Sequence, residues 1–91
     1  MDSMATLKYT RDAKQALQFF REDDPKRGEA LDAALDILRE GKGRVHSRRD
    51  GEHNVWLMDV WVPGRDDYDL IIWDEKDDDV IAIIHAGRSK L

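Results

Sequence analysis

A histidine and an arginine stand three residues apart where the last strand-like run of this 91-residue sequence ends, at Ile83-Ile84-His85-Ala86-Gly87-Arg88. Histidine can gain or lose a proton near neutral pH, and arginine binds phosphate oxygens through a planar fork of N–H donors. Because the run is apolar up to Ile84, its polar end is expected at one rim of a sheet. His85 and Arg88 are therefore the first candidates for function. The structural alternative is a polar strand end at His85 and an ion pair between Arg88 and an aspartate.

The second candidate is a basic segment from Arg39 to Arg49. It carries five Lys or Arg residues against one acid, Glu40, which is a local charge of +4 in a chain of net charge −5. That net charge argues against non-specific binding of nucleic acid by the whole molecule. Lysine and arginine nevertheless bind phosphate as a point charge and as a bidentate fork. The predicted nucleic-acid-facing or target-facing set is Lys42, Arg44, Arg48 and Arg49; the alternative is a solvated loop that offsets an acidic body.

Three other sequence features are predicted to be structural. His46 and His53 flank the basic segment without the spacing of a metal site, and we predict no metal and no cofactor. The acidic stretch Asp74–Asp79 lacks the alternating ligands and central glycine of a calcium loop, so it predicts a solvated hairpin turn. The three tryptophans lie in apolar runs and are predicted to serve the core or a partner contact rather than to stack bases.

Composition narrows the class of protein. The chain is 41% hydrophobic and 38% charged and contains no cysteine, which excludes disulfides and thiolate zinc sites. No segment has the length and apolarity of a membrane span or the pattern of a signal peptide. We therefore expect one domain over residues 1–91 in a cytoplasmic protein that does not enter a membrane.

Apolar patterning predicts an α+β fold of order β-α-α-β-β-β. Helical spacing predicts one helix from Arg11 to Glu22, with Thr10 as N-cap, and a second that begins at Pro25, with Asp24 as its cap, and stops at Gly41. Apolar runs predict strands at 6–9, 55–62, 68–73 and 80–85. The N-terminal strand and the helical hairpin would then pack on an antiparallel sheet of about four strands.

Two details of this packing are also predicted. Leu35 and Leu38 should face Val60 and Ile72 across the interface between helix and sheet. The polar stretch from Gly43 to Gly51 is either a strand with Val45 facing inward or a loop, and the sequence leaves both open.

In element order and in several short motifs the chain resembles the RelE/ParE superfamily, the plasmid-stabilisation-like toxins of bacterial type II toxin–antitoxin modules. Leu7-Lys8-Tyr9-Thr10-Arg11-Asp12-Ala13 looks like that family's first strand and helix start, followed by Leu17 and by a helical hairpin that ends at Leu38. The resemblance continues through Asp67-Tyr68-Asp69-Leu70-Ile71-Ile72-Trp73 and closes at His85-Ala86-Gly87-Arg88. It spans nearly the whole chain.

The resemblance implies a toxin that inhibits translation or replication until a cognate antitoxin binds it through an apolar helical segment. It implies His85 as a proton-transfer group and Arg88 as a phosphate clamp. It also implies that the basic residues contact the target, which is either the ribosome with its messenger or DNA gyrase. These residues are Lys42, Arg44, Arg48, Arg49 and Arg65. Whether the protein forms oligomers is left open.

Two departures from the family pattern bear on activity. The messenger-cleaving branch carries an arginine where this chain has Asp69, and its terminal tyrosine has no counterpart in Ser89-Lys90-Leu91. A charge of the wrong sign roughly 5 Å from a phosphate costs on the order of 3 kcal/mol at an effective dielectric of about 20.

Three functions therefore remain open. The first is an endoribonuclease in which Arg65, Arg44 or Arg88 replaces the missing groups. The second is a non-nucleolytic gyrase inhibitor, which the His-x-x-Arg ending favours. The third is an interaction domain without toxicity.

Overall fold

The computed structural model describes residues 4–66 and 68–88, and in it two helices pack on one face of a five-stranded sheet. The helices are α1 (Arg11–Asp23) and α2 (Pro25–Arg39), and a short 3₁₀ helix follows at Arg44–His46. The strands are β1 (Thr6–Tyr9), β2 (Arg48–Asp50), β3 (Val55–Trp61), β4 (Tyr68–Asp77) and β5 (Val80–Arg88). The predicted α+β fold is confirmed. Neither α-helix in the described ranges is long and apolar enough to cross a membrane.

The sheet is mixed rather than wholly antiparallel, with strand order β1-β5-β4-β3-β2. Short connections force β3, β4 and β5 to fold back on one another. No such turn links β1 to β5, and these two strands pair in parallel, with Thr6 opposite Val80 and Tyr9 opposite Ile83. The fifth strand is β2, which occupies the stretch that the sequence left open as strand or loop.

For residues 43–51, the alternative with an inward-facing Val45 is ruled out, and the expectation for the acidic stretch is wrong. Val45 lies in the 3₁₀ helix with 82% of its surface exposed and does not face inward. The acidic stretch is mostly strand, because β4 continues to Asp77 and leaves only Asp78 and Asp79 as the turn. Main-chain pairing with β5 continues there through a register irregularity between Glu75 and Asp77, and the charged side chains remain in solvent.

The helix boundaries follow the predicted signals with one exception. The Thr10 hydroxyl accepts a hydrogen bond from the Ala13 amide at 3.2 Å and donates to the Ile84 carbonyl at 3.0 Å, so it caps α1 and ties it to β5. Gly41, with φ of +78°, lies just after α2 in a left-handed conformation that suits glycine. Asp24 precedes α2, but its carboxylate makes no capping bond to the helix. It pairs with Arg27 and Arg65 instead.

The core lies between the helices and one face of the sheet. Leu35 and Leu38 are fully buried there with Val60, as predicted. The prediction that Ile72 faces the helices is wrong. Its neighbours Ile71 and Trp73 are the β4 residues in this core, and adjacent residues of a strand point to opposite faces. The helix-side cluster is Ala13, Leu17, Leu31, Ala34, Leu35, Leu38, Met58, Val60, Ile71, Trp73, Ile81, Ile83 and Ala86.

The other face of the sheet carries no helix in the described part of the chain. Ile72 lies there beside Val55, Leu57 and Ile84, around a depression of about 260 Å³ whose rim is formed by Asp50 and His53. We call this surface the open face. The sheet therefore has one face that the helices cover and one face, the open face, where apolar side chains can contact another molecule.

Candidate functional site

The basic segment is held in place by the tryptophan pair of the neighbouring strands. Trp73 is buried, stacks on Trp56 with ring centroids 5.6 Å apart, and donates its indole N–H to the Ser47 hydroxyl at 3.0 Å. Gly43 lies so close to this core that a Cβ there would come within 2.4 Å of Leu38 and 2.8 Å of Trp73. Contact with the core therefore positions the backbone of the segment.

Arg44 and Arg49 converge on Trp56. Their guanidinium carbons lie 5.4 and 5.3 Å from the centroid of its ring, within cation–π range. The Arg44 Nε and Nη2 atoms are 2.7 and 2.6 Å from Glu75 Oε1, and Arg49 Nη2 donates to the Asn54 side-chain oxygen. These residues surround a shallow depression of about 360 Å³. The sequence did not predict this grouping, because Trp56 and Glu75 lie on other strands and nothing in the sequence indicates that they contact the basic segment.

The other two cations of the predicted set, Arg48 and Lys42, lie apart from Arg44 and Arg49. Arg48 is opposite Leu57 in the sheet and pairs with Asp59, so its side chain lies on the open face. Lys42 is exposed in the connection between α2 and the 3₁₀ helix. The predicted set is thus one chain segment whose side chains reach two different surfaces.

Arg65 does not join the basic segment. It donates to Asp24 Oδ1 at 2.8 Å, beside the start of α2. Arg49 pairs with Trp56 in the sheet, whereas Arg65 follows Trp61, at the far end of β3. The strand between them is about 17 Å long at roughly 3.3 Å per residue.

Asp69 is a buried residue of the helix–sheet interface, with 1% of its surface exposed. Its carboxylate oxygen Oδ2 lies 2.9 Å from Arg27 Nε, close enough for an ion pair but not aligned as a hydrogen bond. Arg27 is also buried and lies over the Phe20 ring at 5.3 Å from its centroid. The negative charge of Asp69 is thus compensated by Arg27 inside the fold and does not face an open phosphate site.

The buried role of Arg27 was missed from the sequence, although a signal existed. Arg27 lies one helical turn before Leu31, on the same side of α2 as Leu35 and Leu38. A cation on an apolar helical stripe requires a buried acid, and Asp69 is the acid that interrupts an apolar strand.

The predicted rim position holds for Arg88, which ends β5, but not for His85, which lies three residues inside the strand because β5 is longer than predicted. His85 is opposite Ile72, which places it on the open face, and its Nε2 donates to the Arg88 carbonyl oxygen at 2.8 Å. Because a carbonyl only accepts, Nε2 carries the hydrogen in this contact. Arg88 is exposed and lies opposite Asp69 across β4 and β5; neither residue is without a partner. The tail Ser89-Lys90-Leu91 and Asp67 lie outside the described residues.

Two further features mark the open face. The exposed side chains of Trp61 and Tyr68 meet edge to face at 4.8 Å between ring centroids. At the opposite end, His53 Nδ1 lies 2.8 Å from Asp50 Oδ2. This hydrogen bond raises the pKa of His53 above its usual 6.5 and lowers that of Asp50 below its usual 3.8. Within the ranges 4–66 and 68–88, no three His, Asp or Glu side chains cluster as metal ligands.

Comparison with known proteins places this architecture in a class. No family model matches the sequence, and no curated protein matches it either. Among solved structures, the chain is similar to a YoeB/ParE toxin from Agrobacterium tumefaciens, with a TM-score of 0.62 over 92% of this chain and 98% of the other. The two sequences are 12% identical. The fold is therefore the RelE/ParE toxin fold that the sequence motifs resemble.

Proposed function

We propose that this protein is the toxin of a bacterial type II toxin–antitoxin module and acts in the cytoplasm by binding its target rather than by cutting RNA. The observation that carries the proposal is the fold, which matches a YoeB/ParE toxin over nearly all of both chains. A fold match at this identity leaves the action to be argued from the site.

Binding without cleavage is supported by the surroundings of the predicted catalytic residues. Cleavage of RNA requires a cation that stabilises charge on the phosphate and a group that moves a proton. At the position of the family's arginine, Asp69 is buried against Arg27. His85 Nε2 is engaged in a hydrogen bond with the Arg88 carbonyl at the end of β5. A gyrase-binding toxin needs none of these groups to react.

Target contact is assigned to Lys42, Arg44, Arg48, Arg49 and Arg65, with His85 and Arg88 of β5. Arg44 and Arg49 are the best presented, because Trp56 and Glu75 fix their directions before any target arrives. Preorganised cations lose less conformational entropy on binding than free ones.

The antitoxin is assigned to the open face. Val55, Leu57, Ile72 and Ile84 form an apolar depression there, and the exposed Trp61–Tyr68 pair lies at one end of β3 and β4. An amphipathic helix that docks in such a surface buries its own apolar stripe.

Induced expression in bacteria tests the proposal. The chain should arrest growth with intact messengers and damaged chromosomes, and Arg44→Ala with Arg49→Ala should relieve the arrest. The control is Lys26→Ala, which removes a cation on α2 and should leave the arrest unchanged.

Two results would overturn parts of this proposal. New messenger ends in arrested cells would identify an endoribonuclease of the RelE type. Normal growth with folded protein and no antitoxin present would identify an interaction domain without toxicity.

A further inference from the structure

A further pocket lies at the β1 edge of the sheet, opposite the edge formed by β2. Its lining comes from β1, α1 and the end of α2, it measures about 250 Å³, and β1 and β2 are the two edges of the five-stranded order. The lining residues are Tyr9, Lys14, Leu17, Arg21 and Arg39. The sequence did not bring these residues together, since they come from three elements and their charges are interspersed with acids.

The polar side chains of this pocket offer only hydrogen-bond donors. Lysine and arginine have no acceptor. The Tyr9 hydroxyl accepts from Arg39 Nη2 at 3.2 Å, so its own O–H is free to donate. No carboxylate lines the pocket among the described residues, although the chain has 20 Asp and Glu against 15 Lys and Arg. Such a lining suits a ligand that carries only acceptors.

Two of the cations are fixed by carboxylates that lie outside the lining. Arg21 Nη2 and Nε lie 2.7 and 3.2 Å from Asp32 oxygens, and Arg39 Nη1 donates to Asp36 Oδ1 at 2.7 Å. These pairs orient the guanidinium groups and offset their charge. Lys14 has no ion pair within the described residues, so its ammonium supplies the uncompensated positive charge of the pocket.

We propose that this pocket binds a phosphate group. Four donor groups from three elements surround the space, which suits a tetrahedral oxyanion with several acceptor oxygens better than a planar carboxylate with two. The volume of about 250 Å³ is large enough for a phosphate group. The proposal is independent of the toxin assignment, because it uses none of the residues assigned to the target or the antitoxin.

Titration of the whole protein with sodium phosphate, followed by amide chemical shifts in NMR spectra, tests this site. The ionic strength is held constant with sodium chloride. Saturable shifts are expected around Tyr9, Lys14, Arg21 and Arg39. Lys14→Gln should weaken binding by about tenfold, which corresponds to one charge-assisted hydrogen bond. Tyr9→Phe, which keeps the ring and removes only the hydroxyl donor, should weaken it several-fold.

The matched control is Lys26→Gln, an equally charge-reducing change on α2, where Lys26 lines a different pocket that also contains Glu29. It should leave the affinity for phosphate unchanged. Adenosine monophosphate distinguishes the two sources of the phosphate group, which are an ester and the free ion. If the monophosphate binds more tightly than inorganic phosphate, the ligand is an ester; if it binds equally, the free ion is sufficient.

Three outcomes would overturn the proposal. The first is the absence of saturable shifts at the pocket, and the second is equal weakening by Lys14→Gln and Lys26→Gln. The third is equally tight binding of acetate, which would show that the pocket takes carboxylates.

Discussion

At the scale of single residues, the most informative contact is that of Arg27 with Asp69. Both side chains are removed from water, and each would be strongly unfavourable without a partner of opposite charge. Such a pair adds little net stability relative to apolar residues, but loss of one partner is costly. The pair therefore fixes the relative position of α2 and β4.

Arg27→Met is expected to lower the free energy of unfolding by about 3 kcal/mol, because it leaves the buried Asp69 with one partner fewer. The double variant with Asp69→Leu should recover part of that loss, since both buried charges are then gone. Urea unfolding measures both changes. Arg21→Met is the control: it breaks the exposed pair with Asp32 and should cost less than about 1 kcal/mol. If the losses of the two single variants simply add in the double variant, the buried residues are not coupled.

The Asp50–His53 pair predicts a pH dependence. The pKa of Asp50 is lowered below 3.8, so its contribution is present above pH 3.8 and is lost as the pH falls through the folded-state pKa. The pKa of His53 is raised above 6.5, so its contribution is present below pH 6.5 and is lost as the pH rises through the folded-state pKa. The pair therefore stabilises the fold most between pH 3.8 and pH 6.5.

Asp50→Asn keeps an oxygen that can accept from the Glu52 and His53 amides and removes the charge. The difference in melting temperature between the wild type and this variant should be largest inside that window and should narrow on both sides. In NMR titrations the pKa of His53 should fall toward 6.5 in the variant. A difference that stays constant across the pH range would rule out the charge interaction.

At the scale of elements, the sequence determined most of the fold through local signals. Thr10 and Pro25 mark the helix starts, and the spacing of Leu31, Leu35 and Leu38 identifies the buried side of α2. What it did not determine depends on contacts between distant segments. The parallel pairing of β1 with β5 has no connecting turn to reveal it, and the side on which Ile72 lies depends on strand register.

The candidate site was predictable only as a list of charged residues. The sequence identified the basic segment but not the separation of Arg44 and Arg49 from Arg48, because that separation follows from the short strand β2. It also placed Arg65 in the same set, whereas a whole strand separates them. A cluster of charges in the sequence shows which residues are charged but not which surface of the fold each side chain reaches.

The position of Gly43 provides a test of how the basic segment is held. A methyl group there would overlap Leu38 and Trp73, so Gly43→Ala is expected to cost about 1–3 kcal/mol of stability. Near-ultraviolet circular dichroism should show a disturbed Trp56–Trp73 pair. Gly51→Ala is the control, because a Cβ at Gly51 meets nothing within 4 Å. Equal losses in the two variants would show that Gly43 is not fixed by packing.

At the scale of the whole molecule, the open face is expected to make stability depend on the proposed antitoxin. A partner that binds only the folded state adds about 2.7 kcal/mol of apparent stability at a hundredfold excess over its dissociation constant. The probe is a peptide that carries the apolar helical segment of the proposed antitoxin. Thermal melts with and without that peptide measure the gain.

The double variant Trp61→Ala and Tyr68→Ala should reduce this gain while changing the melt of the free protein little, because the two rings are 51% and 54% exposed. The control is Phe19→Ala, another aromatic residue that is 58% exposed, on α1. It should preserve the gain. If Phe19→Ala abolishes the gain and the aromatic pair does not, the peptide binds the helices instead.

The parallel pairing of β1 with β5 has a consequence for how the protein is made. Thr6 pairs with Val80, 74 residues later in the chain. At about 5–20 residues per second, synthesis of that interval takes on the order of 4–15 s. During this time α1, α2 and the β3–β4 hairpin can form from local contacts, but β1 has no strand to join and the Thr10 hydroxyl has no Ile84 carbonyl. The part of the sheet that carries His85 and Arg88 is therefore assembled last, after β5 has left the ribosome.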